Sequence, residues 1–433
     1  MQKSEKISLR KIERIPVFEY FCLGIKSLLS GNICTFTHDC SLWCWNYIDN
    51  LWNRGDALFL YSFLPHSSDF FSTIKKSQFS IKKNSYLCAM KQKGVVIYLL
   101  LVFLLFGLWI TNLMFGAVSI PIHEVIAILF GKGSEQVAWQ NIIWQSRFPQ
   151  AITALLAGAS LATSGLLLQT LFKNPLAGPS ILGISDGANL GVALIMFLLG
   201  SSFSLYSHQS IGGSLVIMIA AFVGAGCILG VIIFFSTKVT NNVMLLIIGI
   251  MIGYLASSMI AILNYYASAD RVRTFVLWGM GDFSGVSNVR LPFFAVCTLA
   301  GLTIAVLLIK PLNALLLGEA YAANLGVKIK QTRIWILLCT GLLTATTTAF
   351  CGPISFIGLS VPHIARLLLG TTNHKLLLPV TILSGSCIAL FCNILSVFPG
   401  TNIVLPLNAI TPILGAPVII YVIVNRKNIH YFM

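Results

Sequence analysis

Beyond residue 90, apolar positions in this chain run in long blocks, with polar and charged residues gathered at the block ends. A helix needs about 20 apolar residues to cross a hydrocarbon core of about 30 Å. Ten blocks approach that length, roughly 95–115, 149–172, 181–200, 212–235, 243–264, 291–310, 333–350, 355–369, 379–398 and 408–424. The pattern predicts an all-α polytopic membrane protein with about ten transmembrane helices.

The stretch from Gly158 to Ala188 organises the rest. Its first half carries Gly158, Ala159, Ser160, Ala162, Ser164 and Gly165, small residues that let a neighbouring backbone approach, so this helix is expected inside a bundle. The string Asn174-Pro175-Leu176-Ala177-Gly178-Pro179 then breaks the helix, because each proline removes a donor and disfavours helix at the residue before it. A second apolar run starts at Ile181. Such a polar turn cannot face lipid and is expected to be covered by protein or to line a wet cavity.

One segment departs from the block pattern. Lys310-Pro311 closes the sixth block, and residues 315–327 read as a short amphipathic piece. Leu315, Leu316, Leu317, Tyr321 and Leu325 form its apolar side and Glu319 is left exposed. A partner can grip such a helix through spaced apolar anchors.

Composition agrees with a bilayer as solvent: 57% hydrophobic, 9% charged, mean hydropathy +0.87. A formal charge of +15 raises nucleic acid as a partner, but the cations sit at block ends rather than in one patch. With the first block starting inside, twelve cations (Lys91, Lys93, Lys173, Lys238, Lys310, Lys328, Lys330, Arg333, Arg366, Lys375, Arg426, Lys427) fall at inner positions. Five (Lys132, Arg147, Arg271, Arg273, Arg290) fall outside, so the positive-inside rule puts both termini in the cytoplasm. Residues 1–89 stand apart: they hold 11 of the 28 Lys+Arg, 7 of the 13 Asp+Glu and 5 of the 11 Cys, and no membrane-length block. They are expected to play no part in the permease of 90–433. Met90-Lys91-Gln92-Lys93 before the run from Val95 looks like a natural membrane-protein start. Cys34, His38, Cys40 and Cys44 miss the paired spacing of a zinc framework, and the later cysteines sit singly in apolar blocks, so no metal site is expected.

The chain also repeats weakly. Gly178-Pro179-Ser180-Ile181-Leu182-Gly183-Ile184-Ser185 is echoed by Gly352-Pro353-Ile354-Ser355-Phe356-Ile357-Gly358-Leu359-Ser360 with one residue inserted. Five predicted spans separate the two strings, which puts them on opposite faces, the arrangement of an inverted repeat.

Several separated motifs together resemble the permease subunits of iron-complex ABC importers, those for siderophores, haem and cobalamin. They are Arg147-Phe148-Pro149, the Asn174–Pro179 turn with Gly183-Ile184-Ser185-x-Gly187-Ala188, Trp278-Gly279-Met280-Gly281 and Gly318-Glu319-Ala320 with Leu325-Gly326. Gly352-Pro353 through Pro362-His363 and Arg366, Leu405-Pro406 and Gly415-Ala416-Pro417 complete the series, over about residues 91–427. The resemblance implies a homodimer in the cytoplasmic membrane with two ATP-binding subunits and a substrate-binding protein. ATP-Mg is then handled by the partner, and this chain itself binds no cofactor. It implies ATPase coupling through Leu316, Gly318, Glu319, Ala320, Leu325 and Gly326, and a pathway gate at Thr240, Asn241 and Asn242. Arg147, Arg271 and Arg273 form an outer basic patch suited to docking carboxylates of the binding protein. Asn174, Pro175, Gly178, Pro179, Gly352, Pro353, Pro362, His363 and Arg366 are read as structural. Two positions depart from the family's Glu-x-Pro-x-Gly pattern, Val404 and Asn408, and Gln150 replaces a basic residue often found there.

The chain carries no Gly-x4-Gly-Lys-Ser/Thr phosphate loop and no catalytic constellation, so it is expected to be a transport subunit rather than an enzyme. An ion-driven secondary transporter is the rival reading. That would want buried mid-span carboxylates, and Asp186 alone qualifies.

Overall fold

The computed structural model describes residues 94–424 apart from 117, 119, 132–135, 199–210, 240 and 398–404, so the whole 1–89 segment and its cysteine cluster lie outside the described residues. The described elements are all helices. Each of the ten predicted spans falls on one of them.

The order is α1 (Gly94–Met114), α2 (Ile122–Leu129), α3 (Val137–Phe172), a 3-10 turn (Pro179–Leu182), α4 (Ile184–Leu198), α5 (Ile211–Lys238), α6 (Asn242–Tyr266) and α7 (Ala269–Gly279). Then come α8 (Leu291–Leu307), α9 (Ile309–Leu316), α10 (Glu319–Asn324), α11 (Ile329–Cys351), α12 (Ile357–Leu369), α13 (His374–Ser396) and α14 (Leu407–Val424). By length and composition, six helices are able to cross a membrane, namely α1, α3, α5, α6, α11 and α13, and α8 with α9 makes a seventh, bent by 50°. The other three predicted spans fall on shorter apolar stretches, Ile184–Phe197 in α4, Ile357–Leu369 in α12 and Leu407–Val422 in α14.

Helix α3 starts earlier than its apolar block does. A π turn at Ile143–Arg147 joins the Val137–Ile142 segment to the rest, next to Pro149, which has no N–H to give the turn before it. From Ala151 to Phe172 this helix is almost wholly buried. By contrast α1, α5 and α6 turn large apolar residues outward, among them Leu99, Phe103, Val223, Phe234, Met251 and Leu255. Inside, the surface is small or hydroxylic: Ser160, Thr163, Ser164, Thr340, Thr344 and Thr347 are all buried. Lipid is as apolar as leucine, so association of bilayer helices rests on close backbone packing rather than on burying apolar area.

Two glycine contacts show how close that packing is. Gly158 of α3 lies against Gly385 of α13, and a Cβ on Gly158 would meet the Gly385 carbonyl oxygen. Gly165 lies against the Gly358 carbonyl of α12, the acceptor that Pro362 four residues on leaves without its helical donor.

The two echoed strings adopt related structures. Each leads from a glycine-proline pair into a short apolar helix, the first through the 3-10 turn into α4 after Gly183 at φ +73°, the second through an extended segment into α12 after Phe356 at φ +65°. Helix α4 leaves the C-terminal end of α3, whereas α12 runs towards it, with Gly358 beside Gly165 and Arg366 bonded to Gln169. The strings also touch: a Cβ on Gly358 would stand 2.8 Å from the Pro179 ring. That is the geometry of an inverted repeat meeting at its interface.

Candidate functional site

Among the described residues, one polar network gathers at the end of the bundle where α3 stops. Lys173 in the left-handed region closes α3, and the Asn174 side chain accepts from the Leu176 N–H at 2.9 Å, building the tight turn. Helix α12 holds that turn down. His363 Nε2 donates to the Pro175 carbonyl at 2.8 Å, and Arg366 Nη1 donates to Gln169 Oε1 at 2.6 Å. Gln169 Nε2 in turn donates to the Leu359 carbonyl at 3.1 Å. His363 and Arg366, both buried, therefore act as tethers between the two halves.

A second network ties α13 to α9. The His374 backbone N–H donates to Asn313 Oδ1 at 2.8 Å, which fixes that atom as an acceptor. The His374 Nδ1 at 2.9 Å from the same oxygen must then carry its proton, and its Nε2 lies 2.8 Å from the Thr170 hydroxyl, which is also 2.9 Å from the Leu166 carbonyl. Asn313 Nδ2 continues the chain to Asn373 Oδ1 at 3.1 Å.

The residues read from sequence as gate and as coupling element meet here. Asn242 Nδ2 donates to the Leu171 carbonyl at 3.0 Å and to Glu319 Oε1 at 2.6 Å. Arg333 Nη2 lies 3.4 Å from the same carboxylate oxygen, and its Nη1 donates to the Val239 carbonyl at 2.8 Å. Asn241 caps α6 by accepting from the Val243 N–H at 2.8 Å. Thr240 lies outside the described residues. Of the gate residues read from sequence, Asn241 is thus a helix cap and Asn242 is bonded to α3 and α10.

The expected amphipathic segment is two helices. Gly318, at φ +115°, separates α9 from α10 and turns the chain, a conformation that only glycine adopts readily. Leu312 and Leu315 consequently point into the bundle, Leu316 is half-buried, and Leu317, Tyr321 and Leu325 make the outward apolar face beside exposed Ala320. Gly326, at φ +84°, closes α10. Leu315 and Leu316 therefore leave the predicted apolar side, and Glu319 is half-buried rather than free at the rim.

At the opposite end Arg147 is turned into the protein rather than outward. It is buried, and its guanidinium donates to the Leu113 and Met114 carbonyls at 2.7 Å each and to the Val118 carbonyl. The last carbonyls of α1 have no helical donors, and a cation at a helix C-terminus suits the helix dipole. Arg271 does a similar job, donating to the Phe197 carbonyl near the end of α4 at 2.8 Å, while Arg273 is exposed.

Asn408 was not anticipated as a tether. Its Nδ2 donates to the Gly279 carbonyl at 3.0 Å and the Pro353 carbonyl at 2.6 Å, and its Oδ1 accepts from the Ser355 N–H at 3.0 Å. It joins α7, the Gly352-Pro353 segment and α14. The only signal for it was its departure from the family pattern. Among the described residues no group of three or more His, Cys, Asp or Glu could hold a metal.

The profile of the FecCD transport family matches residues 100–425. The chain belongs to the FecCD transport family. It is 34% identical over 290 residues to the vitamin B12 import system permease protein BtuC of Photorhabdus laumondii, covering 67% of this chain and 83% of that protein. It is 32% identical over 335 residues to the hemin transport system permease protein HmuU of Yersinia pestis, covering 76% and 95%. Among solved structures, a metal-chelate type ABC transporter in an inward-facing conformation matches with a TM-score of 0.65 at 29% identity, over 76% of this chain and 99% of that one. This FecCD chain is thus an ABC importer permease, a transport subunit of the class serving iron chelates, haem and cobalamin.

Proposed function

We propose that this permease moves an iron chelate of the siderophore type across the cytoplasmic membrane. In this reading it works as a homodimer, driven by two separate ATP-binding subunits that hold ATP-Mg and fed by a substrate-binding protein. The observation that carries the reading is the likeness over nearly the whole length of a metal-chelate type ABC transporter. The outward face of Leu317, Tyr321 and Leu325, beside a glycine hinge, supports α9 and α10 as the coupling elements. Burial of apolar area on a partner contributes about 25 cal/mol per Å². Arg273 is the arginine of the basic patch left exposed to a binding protein, with the inner location of both termini resting on the distribution of cations. Large chelates make few contacts specific to one scaffold, so relatives named for vitamin B12 and hemin set the competitors to test. In vesicles containing this chain, its ATPase and its binding protein, a labelled ferric hydroxamate should accumulate with ATP. Accumulation of haem or cobalamin instead, with no uptake of the ferric chelate, overturns the substrate assignment.

A further inference from the structure

Two side chains, Asn242 and Arg333, meet on one Glu319 carboxylate oxygen at the α3 end of the bundle, and Asn242 also bonds the Leu171 carbonyl. Glu319 begins α10, Asn242 begins α6, Arg333 lies in the first turns of α11, and the Leu171 carbonyl belongs to the last turn of α3. The Arg333 side chain is only 5% exposed, against 37% for Glu319. A guanidinium that far out of water needs an opposite charge and hydrogen-bond acceptors close by, and Glu319 with the Val239 carbonyl supplies them. The Asn242–Glu319 bond at 2.6 Å is charge-assisted and short.

We propose that Glu319 is a positioning residue, the hub of a polar latch that makes α10 and the foot of α6 move as one body, and is not a contact for the ATPase. The inference rests on the reading of α9 and α10 as coupling elements and deepens it. Of the Glu319 carboxylate, Oε1 is taken up by Asn242 and Arg333, both within the chain. The face left for a partner is the apolar one, Leu317, Tyr321 and Leu325. A partner that shifts α10 therefore pulls on Asn242 directly, and on Val239 through Arg333. Both flank the connection between α5 and α6. The motion reaches the foot of α6 without passing through the bundle core.

The test is a double-mutant cycle on Asn242→Ala and Glu319→Ala with Glu319→Gln beside it, in the full complex in vesicles, with labelled ferric hydroxamate as probe. Each alanine variant should keep the ATPase bound at the parent level. Each should lower chelate moved per ATP hydrolysed by about fivefold or more, the low end of coupling between sites. The double variant should be no worse than either single one, because both break the same latch. Glu319→Gln keeps an oxygen for Asn242 but loses the charge facing Arg333, so it should recover part of the ratio. Effects that multiply in the double variant, or loss of the ATPase on Glu319→Ala, overturn the proposal. The same cycle read as thermal unfolding of the detergent-solubilised chain needs no partner. Contacting residues give non-additive shifts, and additive shifts here overturn the latch. Should the parent fail to transport while the thermal cycle stays non-additive, the transport reading fails and the latch stands.

Discussion

Arg147 and Asn408 show what single polar side chains do in this permease. Each spends its donors on backbone groups that a helix end or an extended glycine-proline segment leaves unbonded. In a bilayer no water stands ready to replace such a bond. Arg147→Lys keeps the charge, but one ammonium cannot span the three carbonyls that the guanidinium reaches. Loss of a hydrogen bond from a charged group costs about 1.5–3 kcal/mol, so the thermal midpoint in detergent should fall clearly. Binding-protein affinity should stay as in the parent, because the residue is buried. Asn408→Ala removes three bonds, each contributing about 0.5–1.5 kcal/mol, and should lower the midpoint by a comparable amount. These roles were not legible in the sequence for a physical reason. Arg147 at the head of a span reads as an outer cation, and its partners are set by where α1 ends, 33 and 34 residues away. Asn408 reaches back 129 residues to Gly279, a distance no local pattern records.

Among the elements, α3, α12 and the α9–α10 corner carry the fold's working parts. Gly165→Val should disrupt the α3–α12 contact, since a Cβ there collides with the Gly358 backbone, and overpacking costs about 1–3 kcal/mol or more. Gly226→Ala is the control: nothing lies within 4 Å of a Cβ at that position, so the membrane level and thermal midpoint should match the parent. The need for small residues along α3 was readable, because close approach of backbones leaves a compositional trace. The split of the segment proposed for coupling was not. An apolar periodicity across residues 315–325 looks continuous until Gly318 adopts φ +115° and divides it. It follows that Leu317→Asp and Leu325→Asp should strip the ATPase in co-purification. Leu315→Asp, a charge placed in the bundle, should instead reduce the amount of folded chain.

At the scale of the whole molecule, the division between a lipid-facing shell and a small-residue interior accounts for the fold. Blocks of apolar sequence mark where the helices are, because the bilayer demands contiguity. Block length overstates how many cross unaided: α4, α12 and α14 are short, and at 1.5 Å per residue the 13 residues of α12 span about 20 Å. The extended segment before α12 is covered by Asn408, so its backbone groups meet protein and not lipid. The antiparallel course of α4 and α12 matches the two echoed strings, which were visible as a repeat because glycine and proline are needed at both breaks. Their contact with each other was not visible, since it depends on how α12 packs along α3. The central claim is that this architecture transports by coupling to an ATPase outside the chain. The most direct measurement is uptake of labelled ferric hydroxamate into vesicles holding the permease, its ATPase and its binding protein, with ATP and with an ion gradient supplied separately. The account predicts accumulation with ATP and none with the gradient alone. Uptake driven by the gradient in vesicles lacking the ATPase, abolished by Asp186→Asn, contradicts it.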